Sequence, residues 1–358
     1  MTNVTTLIAA LPAPIRTRPD WSPCIPQLKP LAIGPVKIGF PVVQAALSGY
    51  SDWPMRVIAR RLGAPYTLAE VLIDRFVNDL RDRQKTRHWL HVTDEEHPVG
   101  GQLMGSNPSD FEPAARKLVA AGFDVIDINF GCPVRSAVGG CRGGYHLGQP
   151  QTALEIVDRV RSAVPPQIPV TLKMRRGIDD STDSEDSFFR ILDGAFARGV
   201  AAITVHGRTV EQKYVGPSNW DFLRRVKQHV GNRTIIGSGD AFTAQACVDM
   251  LSYTGVDGVS AARGAIGNPW IFAQAKALLA GDPEPQPSLA EIRSVLEQQY
   301  DLCREIYDDH PALATIRKFS IKFARLHPHE EKVRNAFASV KSDPDWYHVL
   351  NEFFASVS

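Results

Sequence analysis

Cysteine is scarce in this chain. Five thiols, Cys24, Cys132, Cys141, Cys247 and Cys303, stand in 358 residues with no C-x-x-C pair among them. A sparse, odd-numbered set argues against a disulfide framework and fits a reducing compartment, so the expected location is the cytoplasm. An excess of one charge is also missing. Lys and Arg total 40 against 39 Asp and Glu, so no whole-molecule field recruits nucleic acid and any such footprint must be local. No apolar run approaches the ~20 residues of a membrane span. The apolar residues 7–11 are cut short by Pro12 and Pro14 and follow no basic segment, which makes a poor signal peptide. Metal spacing is absent as well. Cys132, Cys141 and His146 are close in sequence but lack a fourth ligand, so no metal is expected.

What is present is an alternation. Residues 1–37 are rich in proline and read as an extended arm. Short apolar runs then recur at 41–47, 66–71, 98–103, 124–130, 168–174, 201–206, 234–238 and 257–261. Helix-like segments at 108–121, 151–164, 185–199, 219–230 and 243–254 separate them, with Asn107 ahead of Pro108 as a start signal. Eight strands with helical connections over about 240 residues match a (β/α)₈ TIM barrel. A doubly wound sheet is the alternative, but Ala46-Leu47-Ser48-Gly49 after the first strand is no dinucleotide fingerprint. After the Pro-rich residues 282–288 the pattern turns wholly helical, over 289–309, 311–326 and 328–356. The expected fold class is therefore α/β: an arm (1–37), a catalytic barrel (38–285) and a small all-helical C-terminal domain (286–358).

A barrel of this type gathers its chemistry at the C-terminal ends of its strands. Those ends carry Gln102, Asn129 with Cys132, Lys173, His206, Ser238-Gly239-Asp240 and Ala262-Arg263-Gly264. Asp127, Asn129 and Gly131 alternate, which puts them on one strand face. Cys132, between Gly131 and Pro133, is a thiol delivered to the rim, suited to proton donation or nucleophilic attack. Lys173 and His206 bring positive or hydrogen-bonding groups to the same mouth. The Gly-containing seventh and eighth loops offer backbone N–H groups to a phosphate.

The segments INFGCPV (128–134), VTLKMRRG (170–177), VHGRTVEQKYVGPSNWD (205–221), IGSGD (236–240) and ARGAIGNPW (262–270), with looser matches at 46–56 and 100–108, resemble the flavin-dependent tRNA-dihydrouridine synthases. The resemblance implies an FMN-bearing barrel followed by a helical RNA-binding domain. It implies reduction of the uridine C5=C6 bond in RNA, tRNA first, with hydride from reduced FMN, a proton from Cys132 and NADPH as reductant. It places Ala46, Leu47, Ser48, Gln102, Lys173 and His206 at the flavin, and Ser238, Gly239, Asp240, Ala262 and Arg263 at its phosphate. Asn129, Arg135 and Arg208 fall to the substrate, whose target base must leave its stack. The chain departs from the family pattern after Cys132, where Ser136 replaces a common lysine, Cys141 is added, and Tyr145 and His146 replace small or apolar residues.

The helical segment supplies local charge. Arg317, Lys318, Lys322 and Arg325 share part of one helix face, and Lys332, Arg334 and Lys341 follow. An RNA backbone is the expected partner of that face, with the protein acting as a monomer. Two other readings compete: a flavin oxidoreductase for a free pyrimidine or enone, and an RNA-binding protein without turnover.

Overall fold

The eight apolar runs are all strands, and they close into a ring. In the computed structural model, which describes residues 29–81, 83 and 85–355, the ring consists of β3 (Val42–Gln44), β4 (Thr67–Ile73), β5 (Val99–Met104), β6 (Val125–Phe130), β7 (Val170–Arg175), β8 (Ala202–His206), β9 (Thr234–Ser238) and β10 (Gly258–Ala261). Neighbours are parallel throughout and β10 returns to β3. Every residue of β5, β6, β8 and β10 is buried, as expected of strands covered by helices outside and packed side chains inside. The register sets Gln102 beside Asp127 and Thr171, and Asn129 beside Lys173 and Thr204. The polar strand ends therefore share one level of the barrel.

Several of the helices start where a side chain satisfies one of their first N–H groups. Asn107 caps α3 (Pro108–Ala120) through Ser109 N, and Asn219 caps α7 (Trp220–Val230) through Phe222 N at 2.9 Å. Ahead of α3 in the chain come α1 (Trp53–Arg61), capped by Asp52, and the short α2 (Asp74–Asp79). Between α3 and α7 lie α4 (Arg135–Val138), α5 (Pro150–Ala163) and α6 (Thr182–Ala197); α8 (Ala244–Thr254) and α9 (Ile271–Ala280) follow.

Two expectations need correction. The arm read over 1–37 is not extended to its end: β1 (Leu31–Ile33) and β2 (Val36–Gly39) form an antiparallel hairpin, while residues 1–28, with Cys24 and most of the prolines, lie outside the described residues. Leu31, Ile33 and Ile38 join Val43, Leu68, Val125 and Ile236 in one buried cluster, so the hairpin seals the barrel end opposite the strand C-termini. The single helix read over 328–356 is two, α12 (Glu330–Ser339) and α13 (Asp343–Phe353). Ser342 caps the second in a reciprocal capping box with Asp345, and Pro344 opens it. With α10 (Leu289–Ile306) and α11 (Asp309–Phe323) they surround Trp346, fully buried, whose indole N–H donates to Ser320 Oγ at 2.9 Å. Among the described residues no helix is long and apolar enough to cross a membrane.

Candidate active site at the strand C-termini

The strand ends line a cavity of about 550 Å³. Ala46, Leu47, Ser48, Gln102, Asn129, Cys132, Lys173, His206, Ser238, Gly239, Asp240, Ala262 and Arg263 all border it, so residues as far apart as 46 and 263 meet in one place. Its floor is a hydrogen-bonded chain across three strands. Asn129 Nδ2 donates to Gln102 Oε1 at 2.7 Å, Gln102 Nε2 donates to Asp127 Oδ2 at 2.7 Å, and Thr171 Oγ1 donates to Asp127 Oδ1 at 2.5 Å. Asn129 Oδ1 in turn accepts from Gly131 N at 2.8 Å. These bonds fix which way each amide points, so the floor is preorganised.

Cations dominate the walls. Burial lowers the Lys173 ammonium to about 8, with the Arg175 charge beside it adding to the drop and Asp127 opposing it. Burial raises Asp127 to about 6, against its bonds from Thr171 and Gln102. His206 was expected as a positive or hydrogen-bonding group. Burial first, then Lys173, Arg175, Arg208 and Arg263, hold it well below the usual imidazole range, so it is neutral at pH 7. Its Nδ1 is buried without a partner among the described residues. A buried, unpartnered nitrogen in a cationic cavity is suited to a ligand atom. A phosphate-bearing, electron-poor ring system fits this donor set.

The phosphate side is shaped by backbone. Gly239 has φ +108, and a Cβ there would sit 2.3 Å from Ser218 Oγ. Asp240 follows with φ +63. The Asp240 carboxylate is already committed, to Arg208 Nη2 at 2.6 Å and Ser218 N at 2.7 Å, which leaves its backbone as the part open to an anion. Arg263 lies over the rings of Phe242 (4.6 Å) and Tyr214 (5.0 Å).

Of the expected substrate residues, Arg208 is the one placed away from a ligand. Arg208 is 4% exposed, bonded to Asp240 and to the Gly216 carbonyl, and so braces the loops from behind. Arg317 donates to the Val340 carbonyl at 3.0 Å, and Lys318 to the Gly49 carbonyl. Lys322 is half-buried. Arg135 is exposed on α4 beside the mouth.

The strand-end reading missed Arg175, Arg142 and Tyr214, which also border the cavity. Arg175 Nε donates to Gly131 O at 2.9 Å and its Nη1 to the Thr209 and Lys213 carbonyls at 2.7 Å, tying the Cys132 strand to the loop after β8. Its place two residues after Lys173 on an alternating strand was the available signal. Cys132 is half-buried and Cys141 exposed, both as free thiols. Among the described residues no group of three or more His, Cys, Asp or Glu could hold a metal ion.

A sequence profile described as Dihydrouridine synthase (Dus) matches residues 43–357. The probable tRNA-dihydrouridine synthase of Rickettsia prowazekii (strain Madrid E) is 32% identical over 328 residues, covering 91% of this chain and 98% of that protein. The tRNA-dihydrouridine synthase B of Xanthomonas axonopodis pv. citri (strain 306) is 31% identical over 85% of this chain and 90% of its own length. Among solved structures, morphinone reductase superposes with a TM-score of 0.53 at 14% identity, over 74% of this chain and 91% of that one. A histamine dehydrogenase from Rhizobium sp. 4-9 superposes with a TM-score of 0.56 at 13% identity, over 77% of this chain and 50% of that one. At such identities these two bear on the fold alone.

Proposed function

The chain belongs to the dihydrouridine synthase family, and from that premise we propose that it reduces the C5=C6 bond of a uridine in RNA, tRNA first, using FMN with NADPH as reductant. The observation that carries the proposal is the cavity itself, where the Cys132 thiol borders the same space as Lys173, His206 and Arg263. When bound, reduced FMN supplies the hydride that reaches C6 of the uracil ring.

The chain's own residues do the rest. Lys173 and the neutral His206 sit where they would hold the flavin ring, the former by charge and the latter through its free Nδ1. Arg263 and the backbone of Ser238, Gly239, Asp240 and Ala262 would hold the phosphate, with Ala46, Leu47, Ser48 and Gln102 along the ring edge. Asn129, oriented by Gln102 and Gly131 N, hydrogen-bonds the uracil edge. The Cys132 thiol, at the rim of the cavity, would donate its proton to C5, and the thiolate would recover a proton from solvent. Geometry of this kind is what general-acid catalysis requires. The C-terminal helices form an RNA-binding domain. Phosphate contact falls to Lys322, Lys332 and Lys341 and to Arg135 at the mouth, joined by Arg317 and Lys318, which also bond protein carbonyls. The protein acts in the cytoplasm as a monomer.

The test is a comparison of substrates. Purified protein given FMN, NADPH and an unmodified tRNA transcript should form dihydrouridine, while free uridine is turned over far more slowly. Equal rates on both would point to a small-molecule oxidoreductase instead, and a protein that takes up no FMN would sink the reading altogether.

A further inference from the structure

Two loops that border the cavity are gripped from outside by one helix and its continuation. The first is the loop after β3, whose Ala46, Leu47 and Ser48 line the cavity. The next residue, Gly49, is tethered at both ends: its N–H donates to Glu70 Oε2 at 2.7 Å, and its carbonyl accepts from Lys318 Nζ on α11. Lys318 also lies 4.8 Å over the Tyr50 ring and 5.1 Å over Phe319, and those two rings meet edge to face at 5.6 Å. The second is the loop after β10, which carries Arg263. There the Gly264 carbonyl accepts from Arg325 Nη2 at 2.5 Å. Three residues on, Gly267 (φ +72) packs so closely on α11 that a Cβ would lie 2.4 Å from the Lys322 carbonyl carbon.

The charges around Lys318 explain why a cation belongs there. Asp52 and Glu70 are both pushed up by burial, and in each case the Lys318 charge works against that rise. Asp52 Oδ2 accepts from Oη of Tyr307, the residue that follows α10, at 2.9 Å, while Oδ1 caps α1 through Met55 N at 3.2 Å. Removing the ammonium leaves Asp52, at the end of the first loop, and Glu70, on β4 beneath it, with Arg56 as their remaining counter-charge.

We propose that α11 is a positioning element of the cofactor pocket: Lys318 and Arg325 fix the loops after β3 and β10, so that flavin retention and docking of the C-terminal helices on the barrel are linked. The inference rests on the reading of the cavity as the FMN site. Linkage is reciprocal: a helix whose docking tightens the pocket is itself held more firmly when the pocket is filled. The basic residues of this face therefore serve the barrel rather than RNA alone.

The test uses the full chain stripped of flavin and titrated with FMN, following flavin fluorescence at a temperature well below unfolding. Lys318→Met should raise the FMN dissociation constant about tenfold, within the usual range of coupling between sites. Lys318→Arg should restore it, and Arg325→Met should weaken binding in the same sense. Arg304→Met is the control. Arg304 pairs with Asp343 at 2.6 Å within the C-terminal helices, so its loss lowers stability while leaving FMN affinity as in wild type. Hydrogen exchange along α11 should slow when FMN is added to wild type, and slow less in Lys318→Met. If wild type binds FMN and Lys318→Met binds it equally well, or if Arg304→Met weakens binding as much, the inference is overturned alone. A wild type that takes up no FMN overturns the reading of the cavity and the inference with it.

Discussion

The two halves of the cavity mouth are built differently. Around β8, β9 and β10 the loops are cross-braced by side chains. Arg208 and Asp240 form an ion pair at 2.6 Å with side-chain exposures of 4% and 5%, the second Asp240 oxygen takes Ser218 N, and Trp220 Nε1 donates to Gly239 O at 3.1 Å. The loop after β6 has Gly139, Gly140, Gly143 and Gly144 and is held largely by backbone, including Gly144 N to Cys132 O at 3.0 Å. Three neighbouring polar groups there, Asp74 Oδ2, Arg142 Nε and His146 Nδ1, are buried without partners among the described residues. Both halves keep free hydrogen-bonding capacity, since His206 Nδ1, Arg208 Nη1 and Ser218 Oγ also lack partners among the described residues. The difference is in the bracing. On the proposed reading, a cofactor that stays bound would repay the rigid cradle, whereas a polymeric substrate that comes and goes would meet the glycine-rich loop.

The largest effect that would sharpen this contrast is at the thiol. Cys132→Ala should leave reduction of bound flavin by NADPH intact while slowing RNA reduction by about 10²–10⁴-fold, the usual loss for a general acid. Single-turnover kinetics of the two half-reactions would show it, and equal slowing of both would make Cys132 a structural residue. A pair of arginine variants comes next. Arg208→Met strands a buried Asp240 carboxylate and should cost about 3–5 kcal/mol of stability, with loss of flavin retention. Arg142→Met, on the other half, should stay within about 1 kcal/mol by denaturant titration yet lower RNA turnover about tenfold, the worth of one hydrogen bond to a charged group. If the two variants behaved alike, the contrast between the halves would fail.

Smaller, and specific in sign, is the pH response of Lys173. Its ammonium titrates at about 8 in the folded protein, whereas Arg175 stays charged to about 10 and His206 is neutral throughout. Affinity for the anionic flavin should hold to about pH 7.5 and then fall as Lys173 discharges. Stability of the flavin-free protein should move the opposite way. Between about pH 8 and 10.5 the unfolded chain holds the proton that the folded chain has released, so the Lys173 contribution rises with pH. Lys173→Met should abolish both trends, each read as a difference from wild type.

Much of this site was legible in the sequence because a barrel converts strand order into a ring of strand ends. Gln102, Asn129, Lys173 and His206 could be placed at one mouth from a period of two and eight apolar runs. What the pattern could not show is where long side chains go. Arg208 sits in the same motif as His206, yet its guanidinium turns back to Asp240, a partner 32 residues on. Lys318 and Arg325 fall on a helix face that reads as an RNA contact, yet they also reach carbonyls of Gly49 and Gly264 through contacts set by the packing of helices on the barrel. The hairpin at residues 31–39 was hidden by Pro35 at its turn and by the prolines that flank it, Pro30 and Pro41. The break between α12 and α13 was written in Ser342-Asp343-Pro344-Asp345, a start signal inside an apparently continuous apolar period.

Cys141 gives the smallest effect and bears on how loosely the thiol half is built. It holds φ +54, a left-handed conformation that costs an ordinary residue about 1–2 kcal/mol and glycine almost nothing. Its side chain is exposed, so little packing is lost on removal. Cys141→Gly should therefore stabilise the protein slightly, by roughly 0.5 kcal/mol once the larger entropy of glycine in the unfolded chain is subtracted. Turnover on RNA should stay within about twofold of wild type if, as proposed, Cys132 is the thiol that donates the proton. Calorimetry and the tRNA assay together decide the matter. A marked loss of turnover with unchanged stability would mean that the second thiol acts on the substrate and that this half of the mouth is more ordered for catalysis than its bracing indicates.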